Sequence, residues 1–135
     1  MKRVYICSPL AGDIYGNMEK AKNYCREAME RGVLPIAVHL YFTQFLDDNN
    51  PVERKSGMKM GLELLKLCDE VWVYGNTISS GMEKEINFAN EIGTRVVHKL
   101  FEGNGFSNDK ENIENCADAD FVPEHDNDSV GCIAY

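Results

Sequence analysis

The strongest constraint on this chain is a strict alternation of strand-like and helix-like segments joined by short connections across roughly its first hundred residues. Arg3-Val4-Tyr5-Ile6-Cys7 is a β-branched and aromatic run stopped by Ser8-Pro9, and a loop punctuated by Gly12 and Gly16 follows it. Asn17 is then read as the N-cap of a helix to about Gly32, with Met18, Ala21, Cys25, Ala28 and Met29 as its buried stripe. A second strand is expected over residues 33–38, and an aromatic-rich loop over residues 39–49. Asn50-Pro51-Val52-Glu53 reads as cap, first helical position and capping box of a helix to about Cys68. Glu70-Val71-Trp72-Val73-Tyr74 is the third strand, Ser79 or Ser80 caps a helix to about Glu91, and Thr94-Arg95-Val96-Val97 is the fourth strand.

Connections this short favour parallel pairing through crossovers. The expected fold is therefore α/β: a three-layer, Rossmann-like (flavodoxin-like) parallel sheet of four or five strands with helices on both faces. In such sheets ligands bind beyond the carboxyl ends of the strands, so the loops over residues 8–16, 39–50 and 75–80 are the ones to search.

Charge narrows the function classes. Of the 22 acidic residues, nine fall in residues 101–135 against the single base Lys110, which leaves thirteen acids and thirteen bases in residues 1–100. The division expected is an α/β domain over 1–100 and an acidic tail over 101–135. A near-neutral domain has no basic face for long nucleic acid, whereas a small ligand held by a local pocket is compatible with it. No run approaches the length of a membrane span, and the N-terminus enters a strand without a signal-peptide core, so no membrane association and a cytoplasmic location are expected. Five cysteines without C-x-x-C spacing suggest reduced thiols, with Cys7, Cys25 and Cys68 in the core, and neither a metal nor another cofactor is expected. The first loop lacks G-x-G-x-x-G and the chain has no P-loop motif, which disfavours dinucleotide-dependent oxidoreductases and P-loop enzymes.

Within the third helix, Met82, Ile86, Ala89 and Gly93 mark the packed face, and Glu85 lies three residues after Met82 and four before Ala89. Its carboxylate is thus expected to point inward near a strand's carboxyl end, a place suited to a nucleophile or general base. From spacing alone, an ordinary acidic first turn is the better explanation of Glu85.

Three stretches add to this: Val4-Tyr5-Ile6-Cys7-Ser8-Pro9-Leu10-Ala11-Gly12, Cys68-Asp69-Glu70-Val71-Trp72-Val73, and Ser79-Ser80-Gly81-Met82-Glu83-Lys84-Glu85-Ile86. With them the sequence resembles the nucleoside 2-deoxyribosyltransferase-like superfamily, which includes deoxynucleoside monophosphate N-glycosidases. The resemblance implies that Glu85, four residues after Gly81, attacks the anomeric carbon of a 2-deoxyribosyl group, with Tyr5 beside the sugar and nucleophile. It also implies a small-molecule nucleoside or nucleotide as partner. Ser8 with Pro9 and Leu10, and Ser80, Gly81 and Met82 at a helix N-terminus, are candidate substrate-binding residues. His39, with Tyr41, Phe42 and Phe45, is a candidate to stack on a base or simply to pack its loop. Arg54 is placed either near a phosphate or in solvent.

One departure stands out. Family transferases commonly carry a base-contacting aspartate about two helical turns before the strand-three aspartate, and this chain has Gly61 there. Gly57 and Gly61, four apart, are read as a close helix approach of the kind found at a homodimer interface, and a homo-oligomer is expected. Two functions are carried forward: cleavage or transfer of an N-glycosidic bond through a glutamate nucleophile, and non-catalytic nucleotide binding or sensing on the same fold.

Overall fold

A computed structural model describes residues 1–99 together with the backbone of residues 101–102 and 105–106. The elements run β1 (Arg3–Cys7), α1 (Ile14–Glu30), β2 (Leu34–Ile36), α2 (Val38–Phe42), α3 (Pro51–Leu65), β3 (Glu70–Tyr74), α4 (Ser80–Glu91) and β4 (Arg95–Lys99). A short antiparallel pair, β5 (Phe101–Glu102) and β6 (Gly105–Phe106), follows. The first four strands form one parallel sheet in the order β2-β1-β3-β4, with Tyr5 opposite both Ile36 and Val71. The expected α/β fold is the one observed.

Alternation along the strands divides the core. Tyr5, Cys7, Val71 and Val73 pack with Val38, Phe42, Leu65, Met82 and Ala89 from α2, α3 and α4. Val4, Ile6, Trp72, Tyr74 and Val97 pack with Tyr24 and Ala28 of α1. Because β1 and β3 are covered on both faces, they read as almost unbroken apolar runs.

Several boundaries differ from the sequence reading. Helix α1 starts at Ile14 on an Asp13 cap, whose carboxylate accepts from Gly16 N at 3.1 Å, whereas Asn17 Nδ2 donates to the Leu10 and Ala11 carbonyls and holds the preceding loop. Its buried stripe is Ala21, Tyr24 and Ala28, while Met29 is exposed and Cys25 only half-buried. The second strand is cut to three residues because Val38 begins α2, so the expected loop opens with a helical turn. Asn50 caps α3 as expected, accepting from Val52 N and Glu53 N. Glu53 does not complete the capping box: its Oε1 accepts from Asp47 N at 2.7 Å and ties down the loop before the helix. Helix α3 ends at Leu65, and the fourth strand spans residues 95–99.

Gly57 and Gly61 are turned toward this chain's own interior. A Cβ at Gly57 would meet Leu46 Cδ1 at 3.4 Å, and one at Gly61 would lie 3.1 Å from the Tyr5 hydroxyl and 3.5 Å from Val38. The close approach they permit is intramolecular. The expected acidic tail, with Cys116, His125, Cys132 and the apolar ending at residues 130–135, lies outside the described residues apart from the backbone of β5 and β6. Among the described residues no helix is long and apolar enough to cross a membrane.

Candidate functional site

Strand β1 leaves the sheet at Cys7, β3 at Tyr74, and α4 starts at Ser80 just beyond the same edge. Ser79 caps α4, its Oγ accepting from Met82 N at 3.2 Å, while Ser79 N donates to Met82 Sδ at 3.5 Å. This reciprocal cap fixes the first turn and buries Met82. One turn further on, Glu85 faces the sheet.

There Glu85 meets strand β1. The Tyr5 hydroxyl donates to Glu85 Oε2 at 2.7 Å, across eighty positions of sequence. Tyr5 and Cys7 share a face of β1, and the Cys7 thiol donates to the Met82 carbonyl at 3.9 Å. Burial raises the Glu85 pKa above the ordinary carboxylate value, and the hydrogen bond from Tyr5, followed by the neighbouring Cys7 thiol, opposes that rise. Burial, and then the adjacent Glu85 charge, push the Tyr5 phenol well above its usual value, so it remains a donor throughout the ordinary pH range. The same two causes raise the Cys7 thiol.

Glu85 forms one wall of a cavity at the carboxyl edge of the sheet. Ser8, Leu10 and Ala11 line it from the first loop, Val38, His39 and Phe42 from α2, Gly57 and Met58 from α3, and Ser79, Gly81 and Met82 from the start of α4. Ser8 Oγ and His39 Nε2 are 3.1 Å apart in its floor, a hydrogen bond whose direction depends on the imidazole tautomer. Desolvation lowers the His39 pKa from 6.5 to about 4, so the ring is neutral at physiological pH. His39 therefore belongs to the cavity as a buried polar group, while Tyr41 and Phe45 are mostly exposed and Phe42 is buried in the wall.

Most of the expected site residues converge here: Glu85, Ser8, Leu10, His39, Gly81 and Met82 line the cavity, and Tyr5 lies behind Glu85. Pro9 and Ser80 do not line it. Pro9 packs against Gly75, whose φ of +108° turns the chain as it leaves β3 and whose missing Cβ leaves room for the proline ring. It contributes instead to a second cleft with Asn17, Lys20 and Thr77. Ser80 is exposed in the first position of α4. Asp69 accepts from Arg3 N at 2.7 Å and from its guanidinium at 3.5 Å, which makes it a brace for the sheet entry.

Sequence reasoning missed two contributors, Asp48 and Glu53, which reach the cavity rim; Arg54, weighed there as a phosphate contact or a solvated side chain, joins them, 3.7 Å from Asp48. The loop that folds back through the Glu53–Asp47 hydrogen bond brings these charges to the rim, and no local spacing signals that. Gly61 lies against the Tyr5 hydroxyl, which a Cβ at that position would approach to 3.1 Å. Among the described residues no group of three or more His, Cys, Asp or Glu is placed to hold a metal ion.

Comparison with known proteins is consistent with this geometry. A family described as a domain of unknown function, DUF7768, matches residues 2–99. No curated protein matches the sequence. Among solved structures, the chain is similar to a 2-deoxyribosyltransferase from the psychrotolerant bacterium Bacillus psychrosaccharolyticus, with a TM-score of 0.58 at 15% identity over 71% of this chain and 70% of that one. The fold resemblance expected from the sequence is thus present at the level of the backbone.

Proposed function

This chain belongs to the DUF7768 family, and we propose that it cleaves or transfers the N-glycosidic bond of a 2-deoxynucleoside or its 5-monophosphate, with Glu85 as nucleophile. The observation that carries this reading is the 2.7 Å hydrogen bond from the Tyr5 hydroxyl to Glu85 in the wall of the cavity. A carboxylate whose Oε2 accepts from the Tyr5 hydroxyl is held in one orientation, and its Oε1 remains to approach an anomeric carbon. Its negative charge faces the developing oxocarbenium ion, and the glycosyl ester that forms is resolved by water or by a second base, following the logic of retaining glycosidases. The partner on this reading is a small nucleoside or nucleotide, its base against the Phe42 and Met58 side of the cavity.

The test is base release or exchange from a panel of deoxynucleosides and their monophosphates, with the parent protein and Glu85→Ala. Loss of turnover in the variant by at least about a thousandfold is the expected result. A second reading, binding or sensing without turnover, is favoured by Gly61: a side chain there would press on the Tyr5 hydroxyl, so this chain has no carboxyl group at that place. Tight binding by the parent with no release of base from any substrate would establish that reading instead.

A further inference from the structure

Helix α3 carries in its interior a residue that a helix disfavours. Gly61 is buried one turn before the last residue of the helix, Leu65, and glycine loses more conformational freedom there than alanine would. Packing supplies the reason for it. A Cβ at this position would stand 3.1 Å from the Tyr5 hydroxyl and 3.5 Å from Val38 Cγ2.

The phenol has little freedom to make way for such a Cβ. Tyr5 is fully buried, its backbone pairs with Ile36 of β2 and Val71 of β3, and its ring lies in the cluster that holds Val38, Leu65 and Val71. Its hydroxyl donates to Glu85 Oε2 at 2.7 Å, already the usual length of an O–H···O bond, so moving nearer the carboxylate gains no room. A carbon 3.1 Å from the oxygen requires a displacement of a few tenths of an ångström. The contact most sensitive to that displacement is the hydrogen bond, because its strength depends on both length and angle.

Resting on the glycosyl-transfer reading, we infer that Gly61 is a positioning residue of this site: by presenting no side chain to the phenol, it keeps the Tyr5 hydroxyl on Glu85 and so keeps the nucleophile ionised and fixed in one orientation. Gly61 does not line the cavity and acts through Tyr5. The titratable and charged groups on the Glu85 side of the sheet are Tyr5 and Cys7 of β1, His39 of α2, Asp48 before α3, and Glu53 and Arg54 of α3. Of these, among the described residues, only Tyr5 lies within 4 Å of the position a Cβ would take at Gly61. Filling that space therefore reaches Glu85 through one hydroxyl. A lengthened hydrogen bond stabilises the carboxylate less, which adds to the rise that burial already causes, and the ionised share of Glu85 falls at pH values near its midpoint.

A double-mutant cycle on the full chain tests this, with Gly61→Ala made in the parent and in Tyr5→Phe. Isotope-labelled glutamate carboxyl groups followed by NMR, with the Glu85 signal assigned through Glu85→Gln, report its titration without any turnover. In the parent, Gly61→Ala is expected to move the Glu85 midpoint to higher pH. In Tyr5→Phe, where the hydroxyl is gone and a Cβ has room, the same substitution is expected to leave the midpoint where Tyr5→Phe alone put it. An equal shift in both backgrounds, or none in the parent, overturns the inference. On a cleaved substrate, kcat/KM at neutral pH is expected to fall about threefold to tenfold on Gly61→Ala in the parent, with the acid limb displaced to higher pH, and to change by less than about twofold in Tyr5→Phe. A loss of the same size in both backgrounds makes Gly61 a merely structural residue and also overturns it. Folding of the double variant but not of Gly61→Ala alone, read by urea unfolding, supports the inference by placing the conflict at the phenol; failure of both to fold overturns it. If no substrate is cleaved, the glycosyl-transfer reading falls, and the titration still decides whether Gly61 governs Glu85.

Discussion

The two faces of the sheet are built from the same strands and used differently. On the α1 face, polar and charged groups are taken up inside the protein: Trp72 Nε1 donates to Glu70 at 2.9 Å, Lys2 Nζ reaches the same carboxylate at 3.1 Å, Lys99 Nζ lies 3.7 Å from the Trp72 ring centroid, and Tyr24 stacks on Tyr74 at 4.2 Å. On the opposite face, Tyr5, Cys7, His39 and Glu85 are gathered beside an open cavity. A one-residue step along β1, from Val4 to Tyr5, moves the chain from the structural face to the candidate chemical one. Aromatic burial stabilises the first; the second carries buried polar groups whose charged forms are unfavourable there.

Three experiments sharpen that contrast, beginning with the largest effect. Trp72→Ala removes the central fully buried side chain of the α1 face and is expected to cost about 3–5 kcal/mol in urea unfolding. A loss no larger than that of an exposed apolar residue such as Val52 would show that this face does not carry the fold.

On the cavity face the corresponding effect depends on pH. The His39 pKa is depressed from 6.5 to about 4. Between those values the unfolded chain binds a proton that the native chain excludes, so stability rises with pH across this window and is lost as pH falls through it. The loss is on the order of 3 kcal/mol at pH 4, and His39→Gln should reduce the steepness of that acid-side decline. An unchanged slope in the variant would mean that His39 is more hydrated than its burial indicates.

The smallest effect on stability separates structure from chemistry most cleanly. Tyr5→Phe keeps the ring in the core but removes the hydroxyl that donates to Glu85, so stability should change by only about 1 kcal/mol. Without that donor the Glu85 pKa rises further, and because the nucleophile must be ionised, the acid limb of kcat/KM should move to higher pH while kcat falls about tenfold to a hundredfold. An unmoved acid limb would indicate that Tyr5 does not govern Glu85.

How much of this was legible beforehand follows from the range of the interactions concerned. The parallel α/β fold, the Asn50 and Ser79 caps and the inward direction of Glu85 are set by contacts within one turn or by alternation, and each can be read from a short window. Helix α2 was hidden because its turn is held by packing of Val38 and Phe42 against the sheet and not by any cap side chain. The start of α1 was misplaced because both Asp13 and Asn17 suit a cap, and only the loop carbonyls that Asn17 binds decide between them.

By itself, the sequence determined the order of the elements, the apolar strands that must be covered on both faces, and a glutamate in the first turns of the helix after β3. Periodicity and capping are local, so one chain read in order contains them. Only the tertiary structure decided that Tyr5 reaches Glu85, that Ser8 pairs with His39, that Gly61 leaves room for a phenol, and that Asp48, Glu53 and Arg54 meet at the cavity rim. These are contacts between residues tens of positions apart, fixed by strand order and by one loop folding back on its helix, and no local pattern records them.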